Sequence, residues 1–229
     1  MTRFIVFDCD GTLVDSQHLI AAAMAETFVS IGLDAPPTEV VRRVVGLRLD
    51  EAIARLLPQS HVDQALSLAE TYKGAFHRLR ADPASLPDPL YPAVRETLCR
   101  LAESNYLLGV ATGKSRRGLS VTLERHRLSD LFITLQTADD APGKPDPTMV
   151  HQAMNEAGAA PHETIVIGDT VFDMMMAKNA GVRALGVAWG YHEPAELLAA
   201  GALGLVERFD ELPTRLGALR AEGGGEHGG

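Results

Sequence analysis

The chain has 229 residues, which suits one domain with a large insertion or two small domains. Hydrophobic residues make up 46% and charged residues 22%, ordinary globular values that exclude a disordered or fibrous chain. Lys and Arg number 21 against 30 Asp and Glu, and a net charge of −9 repels phosphate backbones, so no nucleic acid is expected as partner.

No apolar run approaches the ~18 residues of a membrane span, so no membrane partner is expected. Met1-Thr2-Arg3-Phe4 leads straight into an apolar run, without the successive regions of a secretory signal. Cys9 and Cys99 match no metal-ligand spacing and suit free thiols, so a cytoplasmic setting is expected.

In chain order, the first apolar run is Phe4–Phe7, followed much later by runs at 107–111, 164–167 and 184–188, with a weaker one at 131–135. Continuous apolar runs of this length suit strands buried on both faces of a parallel sheet. Segments 92–104, 115–126, 146–158 and 171–180 carry apolar residues at helical spacing. The alternation predicts an α/β fold, a doubly wound parallel-sheet (Rossmann-like) core. Residues 16–84 break it. Segments 21–31, 38–45, 51–57 and 62–79 read as helices, separated by Pro36-Pro37, Gly46 and Pro58. The core is therefore expected from 1–15 plus 85–220, with 16–84 as a helical insertion. Pro83, Pro87, Pro89 and Pro92 stiffen the return. Residues 221–229, glycine-rich from Glu222 onward, are expected to be disordered.

Asp8-Cys9-Asp10-Gly11-Thr12 ends the first strand. A spacing of two puts both carboxylates on one side of an extended segment. Ligands of open α/β sheets bind at the carboxyl ends of the strands. Adjacent carboxylates repel, and a magnesium ion with oxygen ligands would compensate them. Loop capping is the plainer alternative for such aspartates. Asp169 and Asp173, in Gly168-Asp169-Thr170-Val171-Phe172-Asp173, follow another strand and add oxygen ligands at the same sheet edge. They also suit the start of a helix. Thr112 closes the second strand before Gly113-Lys114-Ser115, where a hydroxyl and free N–H groups can cradle an anion. Lys144, in Gly143-Lys144-Pro145, supplies an ammonium for phosphate and carboxylate charge, or is a solvated loop lysine. Alternation turns Cys9 away from the carboxylates, into packing.

Taken in this order, the four motifs resemble the haloacid dehalogenase superfamily over about 1–212. The segments Asp8-Cys-Asp-Gly-Thr-Leu-Val-Asp15-Ser16, Val45-Gly46-Leu47 and Gly143-Lys-Pro-Asp-Pro147 look most like its phosphoglycolate phosphatase branch. The resemblance implies that 16–84 is a helical cap. It implies Asp8 as the nucleophile that carries the phosphoryl group, and Asp10 as general acid and then base. Thr112, Gly113 and Lys144 would hold the phosphoryl oxygens. Mg²⁺ would be bound by Asp8, the Asp10 main-chain carbonyl and Asp169, with Asp173 in support. Dehalogenase relatives lack an aspartate at position 10, and phosphonatase relatives have a small residue there, so Asp10 favours phosphate esters.

Arg48, beside Gly46-Leu47, is the candidate for the leaving group, and Lys73, His77 and Arg78 are further ones. Tyr72 and Phe76 read as core. Asp15 and Ser16 are expected to start the hinge and cap the next helix. The resulting expectation is a Mg²⁺-dependent phosphatase for a small phosphorylated metabolite: 2-phosphoglycolate, a sugar phosphate or a nucleoside monophosphate. A phosphomutase of the β-phosphoglucomutase kind, a pyrophosphatase and a non-enzymatic phospho-ligand-binding protein are the alternatives. Either a monomer or a homodimer fits the sequence.

Overall fold

The computed structural model describes residues 3–82 and 88–222. Six parallel strands form one sheet: β1 (Phe4–Phe7), β2 (Leu107–Thr112), β3 (Thr134–Thr137), β4 (Thr164–Gly168), β5 (Arg183–Val187) and β6 (Leu205–Val206). Their order is β3-β2-β1-β4-β5-β6. The first strand therefore lies inside the sheet, and the order reverses between β1 and β4, where an open sheet leaves a crevice.

Both faces are covered, as the continuous apolar runs require. Ile5, Phe7, Ile165, Ile167, Leu185 and Val187 point to one face. There they pack on α5 (Val94–Glu103), α6 (Arg116–Arg125) and α10 (Leu212–Glu222). The alternate residues Phe4, Val6, Val166 and Ala184 pack on α7 (Thr148–Ala157), α8 (Val171–Asn179) and α9 (Pro194–Ala199). Each fully buried Phe, Ile, Leu or Val among them adds about 1.5–3 kcal/mol of hydrophobic stabilisation. Cys9 continues the odd-numbered face and packs in that core. Burial, with the Asp10 charge next, pushes its thiol above the usual range.

Two strands depart from the sequence expectation. The weak run at 131–135 instead holds a 3-10 turn at Ser129–Leu131, and β3 begins only at Thr134. That edge strand buries Thr134 and Gln136, which satisfy each other through a 2.7 Å hydrogen bond from Gln136 Nε2 to Thr134 Oγ1. Short strand β6 has too few residues to leave a pattern. At the C-terminus, α10 runs to Glu222, two residues into the segment expected to be disordered. The rest of that segment, 223–229, lies outside the described residues.

Between β1 and α5 lies a helical insertion: α1 (Gln17–Val29), α2 (Thr38–Arg42), α3 (Leu49–Leu56) and α4 (Ala65–Ala81). It has its own apolar core, built on Leu19, Ala23, Phe28, Ile53, Leu68 and Tyr72. The two chain crossings into it are tied together. Asp15 donates its N–H to Pro89 O at 2.9 Å, and Tyr91 donates to Leu13 O at 3.0 Å. Pro83 and Pro87, expected to stiffen this return, lie outside the described residues. A buried ionic cluster reinforces it. Arg80 of α4 meets Asp88 at 2.6 Å and Thr122 Oγ1 at 2.8 Å, and Arg125 reaches the other Asp88 oxygen at 2.6 Å. Among the described residues, no helix is long and apolar enough to cross a membrane.

Candidate active site

Adjacent strands β1 and β4 deliver Asp8 and Asp169 to the reversal point of the sheet, one residue beyond each strand. Asp173 joins them from the first turn of α8. Ligand oxygens of Asp8, Asp169 and Asp173 all lie within 4.8 Å of one another, and all three residues are buried. Lys144, fully buried, places its Nζ 2.7 Å from Asp8 Oδ1 and donates to Asp173 Oδ1 at 2.7 Å.

Three carboxylates against one ammonium leave surplus negative charge in a buried site. Burial first, and then the neighbouring Asp173 and Asp10 charges, push Asp8 up to about 7, against the opposing pull of Lys144. Burial and the Asp8 charge hold Asp169 well above the usual carboxylate range. Burial alone would lower the Lys144 ammonium, but Asp173 and Asp8 outweigh it and hold the group charged.

The surrounding chain fixes these carboxylates. Thr12 Oγ1 donates to Asp169 Oδ1 at 2.7 Å, and the Tyr191 N–H donates to Oδ2 at 2.9 Å. Asp173 Oδ2 accepts from both the N–H and the hydroxyl of Thr170, a cap on the start of α8. Gly11 has φ +88, and a Cβ there would sit 2.1 Å from Asp169 Oδ2, so only glycine fits beside this carboxylate.

Asp10, expected to meet the metal through its main-chain carbonyl, keeps its side chain for other partners. Its carboxylate stays outside the acidic group and accepts from Lys114 Nζ at 2.5 and 2.7 Å. Ser16 also donates to it. Ser16 was expected to cap α1, but its side chain makes no cap hydrogen bond, because the hydroxyl is spent on Asp10. Lys114 is the residue that sequence reasoning missed. It stood in the Gly-Lys-Ser stretch as part of a loop, and nothing local signals a bond to a residue 104 positions away. Burial lowers its ammonium, but Asp10 and Cys9 raise it further, and it stays above its usual value.

Thr112 ends β2 with its side chain buried, and its hydroxyl accepts the Lys114 N–H at 3.2 Å. The loop at 46–48 lies directly over this edge. A Cβ on Gly113 would come within 2.6 Å of Leu47 O, so the absence of a side chain lets the insertion approach. Below the insertion opens a cavity of about 380 Å³, reached by Asp8, Asp10, Thr112, Gly113 and Lys114. Arg48 lines it, with its guanidinium paired to Asp50. Lys73 and His77 also line it, whereas Arg78 pairs with Glu26. Tyr72 and Phe76, read as core, are stacked at 5.9 Å and serve both the insertion's core and the cavity wall.

The model of the haloacid dehalogenase-like hydrolase family matches residues 5–187. The chain belongs to that family. It is 33% identical over 220 residues to "Probable phosphatase IndB" of Dickeya dadantii, covering 96% of this chain and 95% of that one. It is 30% identical over 214 residues to the phosphoglycolate phosphatase of Photobacterium profundum, covering 92% and 93%. Among solved structures, a hydrolase from Pseudomonas syringae superposes with a TM-score of 0.83 at 28% identity, over 96% of this chain and 99% of that one. As a member of this family, the chain has the doubly wound α/β fold that its sequence predicts.

Proposed function

We propose that this chain is a Mg²⁺-dependent phosphatase that hydrolyses a small phosphomonoester through a phosphoryl group carried on Asp8. The observation that carries this reading is the convergence of Asp8, Asp10, Thr112 and Lys144 on one buried edge that opens into the cavity. The phosphatase names of its relatives support it.

The residues fit a divalent cation. Three buried carboxylates offer hard oxygen donors, and the single Lys144 ammonium leaves negative charge for a cation to balance. Asp8, the Asp10 main-chain carbonyl and Asp169 would hold the ion, with Asp173 in support, where it also positions Lys144. When bound, Mg²⁺ supplies positive charge against the phosphoryl oxygens and the carboxylates.

The chain's own groups then divide the work. An Asp8 oxygen attacks phosphorus, and the bond to the leaving oxygen breaks. Asp10 delivers a proton to that oxygen, and Lys114 and Ser16 hold its carboxyl in place. Asp10 next takes a proton from the water that attacks the phosphoryl group on Asp8, which frees phosphate. Thr112, the Gly113 N–H and Lys144 steady the phosphoryl oxygens. Residues 16–84 act as a cap that shields the intermediate from bulk water.

The test is phosphate release from p-nitrophenyl phosphate, with and without Mg²⁺, by wild type and Asp8→Asn. Mg²⁺-dependent release that falls at least about 10³-fold in the variant is expected. Release that survives the substitution would remove Asp8 from its role.

A further inference from the structure

Resting on the phosphatase reading, we infer that the preferred substrate carries a neutral, ring-sized apolar leaving group rather than a small anionic one. Two independent features of the cavity carry this, its charge balance and its wall.

The charge balance comes first. Among the described residues, the three cations that line the cavity, Arg48, Lys73 and Lys114, are matched by three carboxylates besides Asp8 and the proton-donating Asp10, namely Asp50, Glu70 and Asp139. Arg48 pairs with Asp50, Lys73 with Glu70 at 2.7 Å, and Lys114 with Asp10 at 2.5 Å. Asp139 stands outside those pairs and accepts the Arg116 N–H at 2.8 Å. The Arg116 guanidinium itself is engaged by Asp140. Burial, with the Arg117 and Arg80 charges, holds the His77 imidazole below its ordinary value, so it adds no cation at neutral pH. Exchanging partners among these pairs leaves the balance unchanged. A leaving group with its own carboxylate, such as glycolate, meets walls with no surplus positive charge. Burying such an anion unpaired is unfavourable.

The wall comes second. The cavity of about 380 Å³ falls in the range of roughly 300–1,000 Å³ that encloses drug-sized ligands, far more than a two-carbon acid fills. Met24, Val41, Leu66, Ala69, Tyr72 and Phe76 supply apolar surface to the cavity. Leu66 lines this wall and is 71% exposed, so its side chain is open to a ligand. A ring covering Leu66 and the exposed edges of the stacked Tyr72 and Phe76 removes apolar surface from water. Leu66 is thereby assigned as a specificity-determining residue.

The experiment compares benzyl phosphate with 2-phosphoglycolate under Mg²⁺. Both release a primary alcohol, so they differ mainly in the ring or carboxylate that enters the cavity. Wild type is expected to favour benzyl phosphate by at least about tenfold in kcat/KM, the scale at which apolar pockets discriminate. Leu66→Lys, an exposed position that leaves the core intact, is expected to narrow that ratio at least about threefold, chiefly by raising KM for benzyl phosphate. Equal or greater activity on 2-phosphoglycolate overturns the inference and leaves the phosphatase reading standing. A ratio that Leu66→Lys does not move overturns the role of Leu66. If neither ester nor p-nitrophenyl phosphate is hydrolysed, the phosphatase reading falls, and this inference with it.

Discussion

Lys144 is the residue on which the most charge converges. It is the ammonium that meets both Asp8 and Asp173, with no exposed surface of its own. Replacing it by methionine leaves two buried carboxylates without that counter-charge. The expected cost is about 3–5 kcal/mol in denaturant unfolding, together with a loss of phosphate release of at least about 10²-fold. Unchanged stability would mean that the carboxylates are compensated elsewhere. Asp8, Asp10, Thr112 and Lys144 were legible in the sequence because each sits beside a strand end, a glycine or a proline that fixes its backbone. Lys114 and Ser16 were not. Their partner Asp10 is set by where two long side chains reach, and no spacing along the chain encodes that reach.

At the level of elements, strands were legible in proportion to their burial on both faces. Phe4–Phe7 was placed to the residue because all four side chains are buried, whereas Thr134–Thr137 buries polar groups at an edge and carries no apolar signal. The junction of α4 and α6 shows how polar groups hold elements together. Asp88, 1% exposed, is gripped by Arg80 and Arg125, so Asp88→Ala strands the buried Arg80 and is expected to cost about 3–5 kcal/mol. Arg125→Ala, on the more exposed partner, is expected to cost less than about 1 kcal/mol. Equal losses in urea unfolding would refute the distinction.

The start of α8 carries a pH dependence. His192 Nδ1 accepts the Val171 N–H at 3.2 Å, which requires the neutral ring. Burial, and then the Arg43 charge, hold this imidazole below its usual value. The unfolded chain takes up the proton first as pH falls. The stabilisation is therefore complete above about pH 6.5 and fades below it. His192→Asn keeps an acceptor that does not titrate. Between about pH 7.5 and 5.5 it is expected to lose less stability than wild type. Parallel losses in the two proteins would exclude His192 as the cause.

For the molecule as a whole, the proposed Mg²⁺ site would make the folded state a better Mg²⁺ ligand than the unfolded chain. Mg²⁺ at a hundred times its Kd is expected to add about 2.7 kcal/mol, read as a rise in Tm that EDTA reverses. Asp169→Asn is expected to abolish most of that rise, and an undiminished rise would place the ion elsewhere. The sheet order has a further consequence for how the chain is made. Phe4 pairs with Leu107 on one side and Thr164 on the other, so the segment bearing Asp8 leaves the ribosome before either of its neighbours. At the usual pace of translation its first neighbour is synthesised on the order of ten seconds later. During that wait α1–α4 can close around their own core. An apolar strand stays unpaired in the meantime, which makes the nascent chain, before β2 emerges, the stage most in need of a chaperone.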